Sequence, residues 1–437
     1  PAGPLRFRMQ SMIIEGPSRI HGQVTIGGNK NAVLPMIAAA MLTDEEVILH
    51  NVPDIIDVEN MLHLAAELGA DVRRAGGTVV VKAENLKTNR LPKEICSALR
   101  TSLLFAGPLA VRTGKAELWP PGGDVIGRRR LDAHFYGLRK LGIQIESDDI
   151  PFEFKKTRRR PPAEIDIFLD EASVTATEHI MTAACLTPST TILRNAACEP
   201  HIGQLAGLLV KMGAQIDGLE TNTLTIRGCK KLHGAEHTVE GDHIEAASYL
   251  ALCGAAGGEI EILGGISPRH YWMTRRVFER FGLAFRLEPG RIAMTAKKMK
   301  IRPDFGNAIP IIADGPGPQF PSDMMSCLIV AATQARGSVL FFEKMFESRI
   351  CFVDRIIAMG ANAIVCDPHR VVISGPAKLR GITMASPDIR AGMAMIIAGA
   401  CAKGTSVINR AEIIFRGYEN LPGKLTALGV RNTLAEV

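Results

Sequence analysis

The stretch AAELGADVRRAGGTVVVKA, residues 65–83, closes a helical pattern on Leu68-Gly69 and then alternates apolar with polar residues through two short runs. A glycine at that point suits a helix C-cap, because it enters the left-handed region with no Cβ to clash. The alternation that follows has the period of a strand, and two such runs around a turn read as a hairpin. The pattern returns as LRKLGIQIESDDIPFEFKK (138–156), LVKMGAQIDGLETNTLTIRG (209–228), FERFGLAFRLEPGRIAMTAK (278–297), IIAMGANAIVCDPHRVVISG (356–375) and LTALGVRNTLAEV (425–437). Its glycines, Gly69, Gly142, Gly213, Gly282, Gly360 and Gly429, recur at intervals of about seventy residues, the signature of an internal repeat.

Between these points lies a second shared half, an Ala-rich apolar helix followed by a strand run. NAVLPMIAAAMLTDEEVILHNV (31–52) and IRAGMAMIIAGACAKGTSVINRA (389–411) are two of the six. Helices apolar nearly all round belong in a core, with the other helix of each repeat amphipathic and outside. Each repeat therefore reads as βαβαββ, an α/β (α+β) arrangement of mixed sheets around buried helices. Single repeats cannot bury their faces, so three repeats per lobe, twice, is the packing this predicts. A chain of 437 residues is also longer than one core usually spans. Two similar lobes would leave a cleft between them for a ligand.

Composition narrows the function classes. Hydrophobic residues make up 46% and charged residues 22%, a balance of globular proteins, and the net charge is +6. The densest basic run, KKTRRR at 155–160, lacks the aromatic residues of a base-stacking platform, so a nucleic-acid partner is not expected. Nine scattered cysteines without a CxxC pair read as buried free thiols in a reducing compartment. No HxxxH or similar spacing suggests a metal, and no apolar run reaches membrane-spanning length. Residues 1–11 lack the apolar core of a signal peptide and read as a short extension. The expectation is a cytoplasmic protein without a cofactor.

Chemistry concentrates in PPGGDVIGRRRLDAH, residues 120–134. Two prolines and two glycines force a loop, Asp124 stands at its tip, and Arg128, Arg129 and Arg130 follow. A carboxyl beside guanidiniums suits proton transfer near an anionic, phosphorylated substrate, although a solvated surface loop would look the same. FPSD before the helical run MMSCLIVAA raises a similar ambiguity: Asp323 is an N-cap candidate as well as a candidate base.

GGNKNAVLP near the start, PGGDVIGRRRLDAH in the second repeat, FPSDMM (320–325), FESR (346–349), SPDIRAG (386–392) and FRGYENL (415–421) stand in one order at matching repeat positions. Together they resemble the enolpyruvyl transferases from about Met12 to about Gly429. The resemblance implies two lobes, each an inside-out α/β barrel of three repeats. One comprises 30–240 and carries the catalytic loop 120–130; the other comprises 12–29 plus 241–437. It also implies small-molecule substrates: phosphoenolpyruvate as donor and, in the branch it most resembles, the 3-hydroxyl of UDP-N-acetylglucosamine as acceptor, in peptidoglycan precursor synthesis. The reaction is addition–elimination through a tetrahedral ketal with loss of phosphate. The oligomeric state stays open.

By the same resemblance Asp124 is the general acid that protonates C3 of the donor, at a position where many members carry a reactive Cys. An aspartate there implies insensitivity to fosfomycin, which alkylates that Cys. Asp323 contacts the acceptor hydroxyl as base or orienter. Lys30, Arg129 and Arg416 surround the donor phosphate, and Arg349 and Arg390 reach its carboxylate. Asn31, Arg100, Arg129, Arg130, Leu131, Asp132, His134, Ser173, Val174, Asp323 and Met345 form the acceptor side. The lobes are expected to close on substrate with the loop folding over it.

This chain also departs from the family pattern. The usual Arg-Pro-Val-Asp of the uracil cradle reads Arg129-Arg130-Leu131-Asp132, and Lys-x-Ser-Val-Gly-Ala-Thr reads Glu171-Ala172-Ser173-Val174-Thr175-Ala176-Thr177. Asp-Arg-Ile-Glu reads Asp242-His243-Ile244-Glu245. Glu171 near a diphosphate would cost binding unless Arg130 pairs with it. The changes leave a second acceptor in play, such as uridine monophosphate or another sugar. Shikimate 3-phosphate fits less well, because the start is not of the Gly-Ser-Lys-Ser type. A non-catalytic nucleotide-sugar-binding paralogue is the reading from another class.

Overall fold

In the computed structural model the described residues are 9–124, 126–127, 129–159 and 161–436. All six repeat glycines lie at positive φ, from 71° at Gly282 to 109° at Gly360. Each ends a helix as the pattern predicts. Five of the six are followed by an antiparallel hairpin, for example Asp71–Ala75 with Thr78–Lys82 and Asn362–Asp367 with Arg370–Gly375.

The six apolar helices are buried: Lys30–Ala39, Ala106–Thr113, Val174–Ala184, His243–Ala256, Ser322–Ala332 and Ile389–Cys401. Every residue from Ile389 to Ala400 is enclosed, so this helix has no solvent face before its last residue. Contacts divide the chain into two compact units. One is Gly28–Gly123 with Arg129–Glu240; the other holds the described residues of 6–27, 124–128 and 241–437. Each has its own apolar core and three sheets. In the second unit the helices His243–Ala256, Ser322–Ala332 and Ile389–Cys401 pack on one another. Sheets cover them with alternating side chains: Val339 and Phe341 of strand Gly337–Phe342 point inward and are fully buried. Each such side chain stabilises by about 1.5–3 kcal/mol.

The sheets repeat one topology: two parallel strands, then two antiparallel ones, as in Ile311–Ala313, Gly337–Phe342, Arg370–Gly375 and Asn362–Asp367. Strand Gln23–Thr25 precedes the first buried helix but pairs with Gly258–Leu263 of the second unit, while Ala235–Thr238 pairs with Glu46–His50 of the first.

Three details differ from the repeat as read. The second repeat has a three-stranded sheet, its first strand reduced to a bridge between Arg90 and Glu117; Pro92, with no N–H, stands two residues after Arg90. Its apolar helix is preceded by a 3-10 stretch, Arg100–Phe105, and Pro108 leaves the Leu104 carbonyl without the usual donor four residues on. In the sixth repeat the last strand comes from Gln10–Gly16, which lies between Gly404–Asn409 and Arg431–Glu436. The extension read at 1–11 therefore contributes Gln10 and Ser11 to a sheet, and residues 1–8 lie outside the described part. All nine cysteines are free; Cys96, Cys185, Cys253 and Cys327 are buried as expected, whereas Cys351 and Cys366 are exposed. No described helix is long and apolar enough to cross a membrane.

Candidate active site

In the second unit the acidic residue of FPSD does not cap its helix. The N-cap is Pro321, and Asp323 sits in the first turn with its carboxylate turned elsewhere. One oxygen accepts from Arg349 Nη2 at 2.9 Å and the other from Arg390 Nη2 at 3.0 Å. Both guanidiniums are almost completely buried, at 3% and 4% exposure. Burial alone would lower the Arg390 guanidinium, but Asp323, Tyr418 and Asp242 outweigh it and hold it well above its ordinary range. Even so, Arg349 Nε and Arg390 Nη1 are buried with no hydrogen-bond partner among the described residues. Two cations share one carboxylate and keep donors to spare, an arrangement suited to a second anion.

Within electrostatic reach of Arg349 stands a carboxyl pair that sequence reading missed. Parallel strands place Ala313 beside Phe342, so Asp314 and Glu343, one step beyond, meet at the strand ends. Both are fully buried. Glu343 accepts from Ser322 Oγ at 2.8 and 2.9 Å and from the Phe346 amide at 3.1 Å, which fixes the turn leading to Arg349. Burial first, then the hydrogen bond and charge of Asp314, push the Glu343 carboxyl up to about 8, against Arg349. Met345 is half-buried on the same turn.

Asp124 belongs to this unit by its contacts, accepting from Arg416 Nη1 at 2.7 Å. Arg416 closes the 3-10 turn Ala411–Arg416. Nearby, Asp388 caps Ile389–Cys401 through the amides of Arg390 and Ala391. Burial raises the Asp388 carboxyl against Arg349 and those amides, and the charge of Asp124 adds to the rise. His243, at the first position of its helix, is buried, and burial lowers its imidazole, with Arg390 acting in the same direction. Val125 and Arg128 of the loop lie outside the described residues.

The first unit carries the remaining candidates. Lys30 opens the helix capped by Asn29 and forms a buried ion pair with Asp57 at 2.7 Å. Asp57 looks in sequence like an ordinary acidic residue of a helix's first turn, so only the fold reveals the pairing. Asn31 is half-buried on the same helix as Lys30. Arg100 Nη2 grips the carbonyls of Arg129 and Arg130 at 2.8 and 3.1 Å, shaping the exit of the loop. Burial and the charge of Arg129 push Arg100 down to about 10, and its Nε is buried without a partner among the described residues. Arg130 pairs with Asp132 at 2.9 Å and not with Glu171, which acts on it only at longer range; two residues apart, Asp132 needs no reach. Leu131 is half-buried between them.

His134, read as a residue of the loop's exit, is buried at 1% exposure on helix Asp132–Lys140. Its Nδ1 lies 3.2 Å from His179 Nδ1 and its Nε2 3.1 Å from Thr175 Oγ1. Ser173 caps the helix Val174–Ala184 by accepting from the Ala176 amide, with Val174 half-buried after it. Among the described residues no group of three or more His, Cys, Asp or Glu side chains could hold a metal ion.

The family described as EPSP synthase (3-phosphoshikimate 1-carboxyvinyltransferase) matches residues 14–425. The chain belongs to the enolpyruvyl transferase family. Among curated relatives, this enolpyruvyl transferase is 47% identical to the UDP-N-acetylglucosamine 1-carboxyvinyltransferase of Treponema denticola, over 98% of this chain and 100% of that one. It is 46% identical to the enzyme of the same name from Borreliella burgdorferi, over 97% and 98% of the two chains. Among solved structures it is similar to the enolpyruvyl transferase NikO from Streptomyces tendae, with a TM-score of 0.86 at 21% identity over 98% of this chain and 100% of that one. It is also similar to EPSP synthase from Acinetobacter baumannii, with a TM-score of 0.75 at 16% identity over the same shares. These two likenesses speak for the α/β fold.

Proposed function

We propose that this enolpyruvyl transferase moves the enolpyruvyl group of phosphoenolpyruvate to the 3-hydroxyl of UDP-N-acetylglucosamine, releasing phosphate, as a step in peptidoglycan precursor synthesis. The observation that carries the chemistry is Asp323 held by two buried arginines whose spare donors await an anion. The full-length identity with UDP-N-acetylglucosamine 1-carboxyvinyltransferases supports the acceptor.

In this reading Arg349 and Arg390 bind the donor carboxylate, and Lys30, Arg129 and Arg416 its phosphate. Asp323, its orientation fixed by the two guanidiniums, aligns the acceptor hydroxyl and takes its proton as the O3–C2 bond forms. Asp124 delivers a proton to C3, giving the tetrahedral ketal. C3 then returns a proton, the C2–O bond to phosphate breaks, and the vinyl ether leaves with inorganic phosphate. Arg416, bonded to Asp124, joins the proton donor to the phosphate it serves.

The test is phosphate release from phosphoenolpyruvate with UDP-N-acetylglucosamine, uridine monophosphate or shikimate 3-phosphate, beside an Asp124→Asn control. Turnover with the nucleotide sugar, lost in the control, is the expected result. Turnover with uridine monophosphate alone would move the acceptor. Silence with every acceptor, despite measurable nucleotide-sugar binding, would leave a non-catalytic paralogue.

A further inference from the structure

Asp314 and Glu343 meet at the ends of parallel strands, and neither is exposed to solvent. Asp314 Oδ1 accepts from the Lys344 amide, but its Oδ2 is buried with no hydrogen-bond donor among the described residues. A bare carboxylate oxygen in that position would be desolvated with nothing to offset the loss. A proton held between the two carboxyls supplies the missing donor, and two such neighbours do not ionise together. The burial and the Asp314 hydrogen bond that push Glu343 up to about 8 agree with one proton shared by the pair.

The pair is tied to three parts of the candidate site. Ser322 Oγ, on the first residue of the helix that carries Asp323, lies 2.8 and 2.9 Å from the two Glu343 oxygens. The Phe346 amide donates to Glu343 Oε1 at 3.1 Å, and the Phe346 carbonyl accepts from the Arg349 amide at 3.2 Å. Between them, the Ser348 amide donates to the Ile126 carbonyl at 3.2 Å, so the same turn seats the loop that carries Asp124. The charged and titratable groups on the elements around the pair are Asp323 on the helix, Lys344, Glu347 and Arg349 on the turn, and Asp367, His369 and Arg370 on the hairpin. Arg349 opposes the rise of Glu343, Lys344 Nζ donates to Gln319 at 3.3 Å, and Arg370 pairs with Asp367 at 2.7 Å. His369 Nδ1 stands 2.7 Å from the Glu343 carbonyl oxygen and so engages its backbone.

We propose that Asp314 and Glu343 are positioning residues of the transfer reaction: joined by one shared proton, they lock the helix start bearing Asp323 to the turn bearing Arg349, and loss of that proton loosens the grip on the donor carboxylate. The proposal rests on the donor reading above. Both residues are enclosed and act through the turn, not on substrate.

The experiment measures the KM for phosphoenolpyruvate at saturating UDP-N-acetylglucosamine from pH 7 to pH 9. Wild type, Asp314→Asn and Glu343→Gln are each compared with their own value at pH 7. An amide at either position donates a hydrogen that does not titrate, so both variants mimic the shared proton. If only the singly protonated pair binds donor, ionisation near 8 raises the wild-type KM about tenfold over this interval. In both variants the KM changes by less than about twofold. Infrared spectra of the ligand-free protein read the proton itself: a protonated-carboxyl band fades through about pH 8 in wild type and is missing from Glu343→Gln. A wild-type KM flat with pH, a rise of the same size in either variant, or identical infrared bands in wild type and Glu343→Gln overturns the positioning role and leaves the activity standing. A wild type without turnover overturns the reaction reading and this proposal together.

Discussion

Replacing Glu343 by Gln gives the sharpest physical test of the buried carboxyl pair near Arg349. The native carboxyl keeps its proton up to about 8 because it is buried against Asp314, while in the unfolded chain it ionises near its ordinary 4.5. Between those values the folded state binds more protons than the unfolded state, so stability is full below about 4.5 and falls as pH rises toward 8. At about 1.4 kcal/mol per pH unit the window corresponds to a ceiling of about 5 kcal/mol. A glutamine side chain in its place would not titrate, and its amide oxygen can still accept from Ser322 or the Phe346 amide. Urea denaturation of both proteins at intervals from pH 5 to pH 8 reads the effect as a difference of slopes. Glu178, Glu245 and Asp388 are also raised by burial, but they act equally in both proteins and cancel. The variant's stability should fall by about 2–4 kcal/mol less from pH 5 to pH 8 than that of wild type. Parallel curves would show that the Asp314–Glu343 pair holds no proton in this range and would refute the argument.

Other predictions follow the same geometry. Asp323→Asn should lower kcat/KM by about a hundredfold or more while circular dichroism stays native, because the group lost acts on the reacting hydroxyl; near-normal kinetics would remove Asp323 from the chemistry. Fosfomycin should leave the wild-type rate unchanged after long preincubation, whereas Asp124→Cys should show time-dependent loss; inhibition of wild type would contradict the aspartate argument. Gly107→Ala should destabilise by about 1–3 kcal/mol in chemical denaturation, the cost of overpacking against the His179 ring. A neutral result there would mean that helix and ring separate easily, although the Gly107 amide donates to His179 Nε2 at 2.7 Å and a Cβ there would stand 2.6 Å from the ring.

What could be read from the sequence was whatever local chemistry determines. Six helix-ending glycines and the alternation after them define the repeat, because a left-handed cap and a pleated strand each impose a residue pattern on their own. Non-local pairing left no such mark. SMIIEG near the start reads as any apolar strand, and nothing in it names Gly404–Asn409 and Arg431–Glu436 as its neighbours. Asp323 could cap or bind, and the choice depended on two arginines 26 and 67 residues away. The Asp314–Glu343 pair was invisible because strand register, and no motif, brings the two together. Nothing in the sequence singles out His179, whose Nε2 accepts from a backbone amide 72 residues distant.

The strand Gln10–Gly16 makes the second unit a structure that synthesis cannot finish early. Its first residue donates its amide to Glu412, 402 positions along the chain. As the chain emerges, residues 28–240 form a continuous stretch that holds every strand of its own three sheets. The strand at 10–16 must wait, with both edges open, until the last repeat has been made. Gln23–Thr25 waits in the same way for Gly258–Leu263. The order of assembly is thus written into the topology: the inserted unit can close first, and the unit that encloses it in sequence closes only when both of its ends are present.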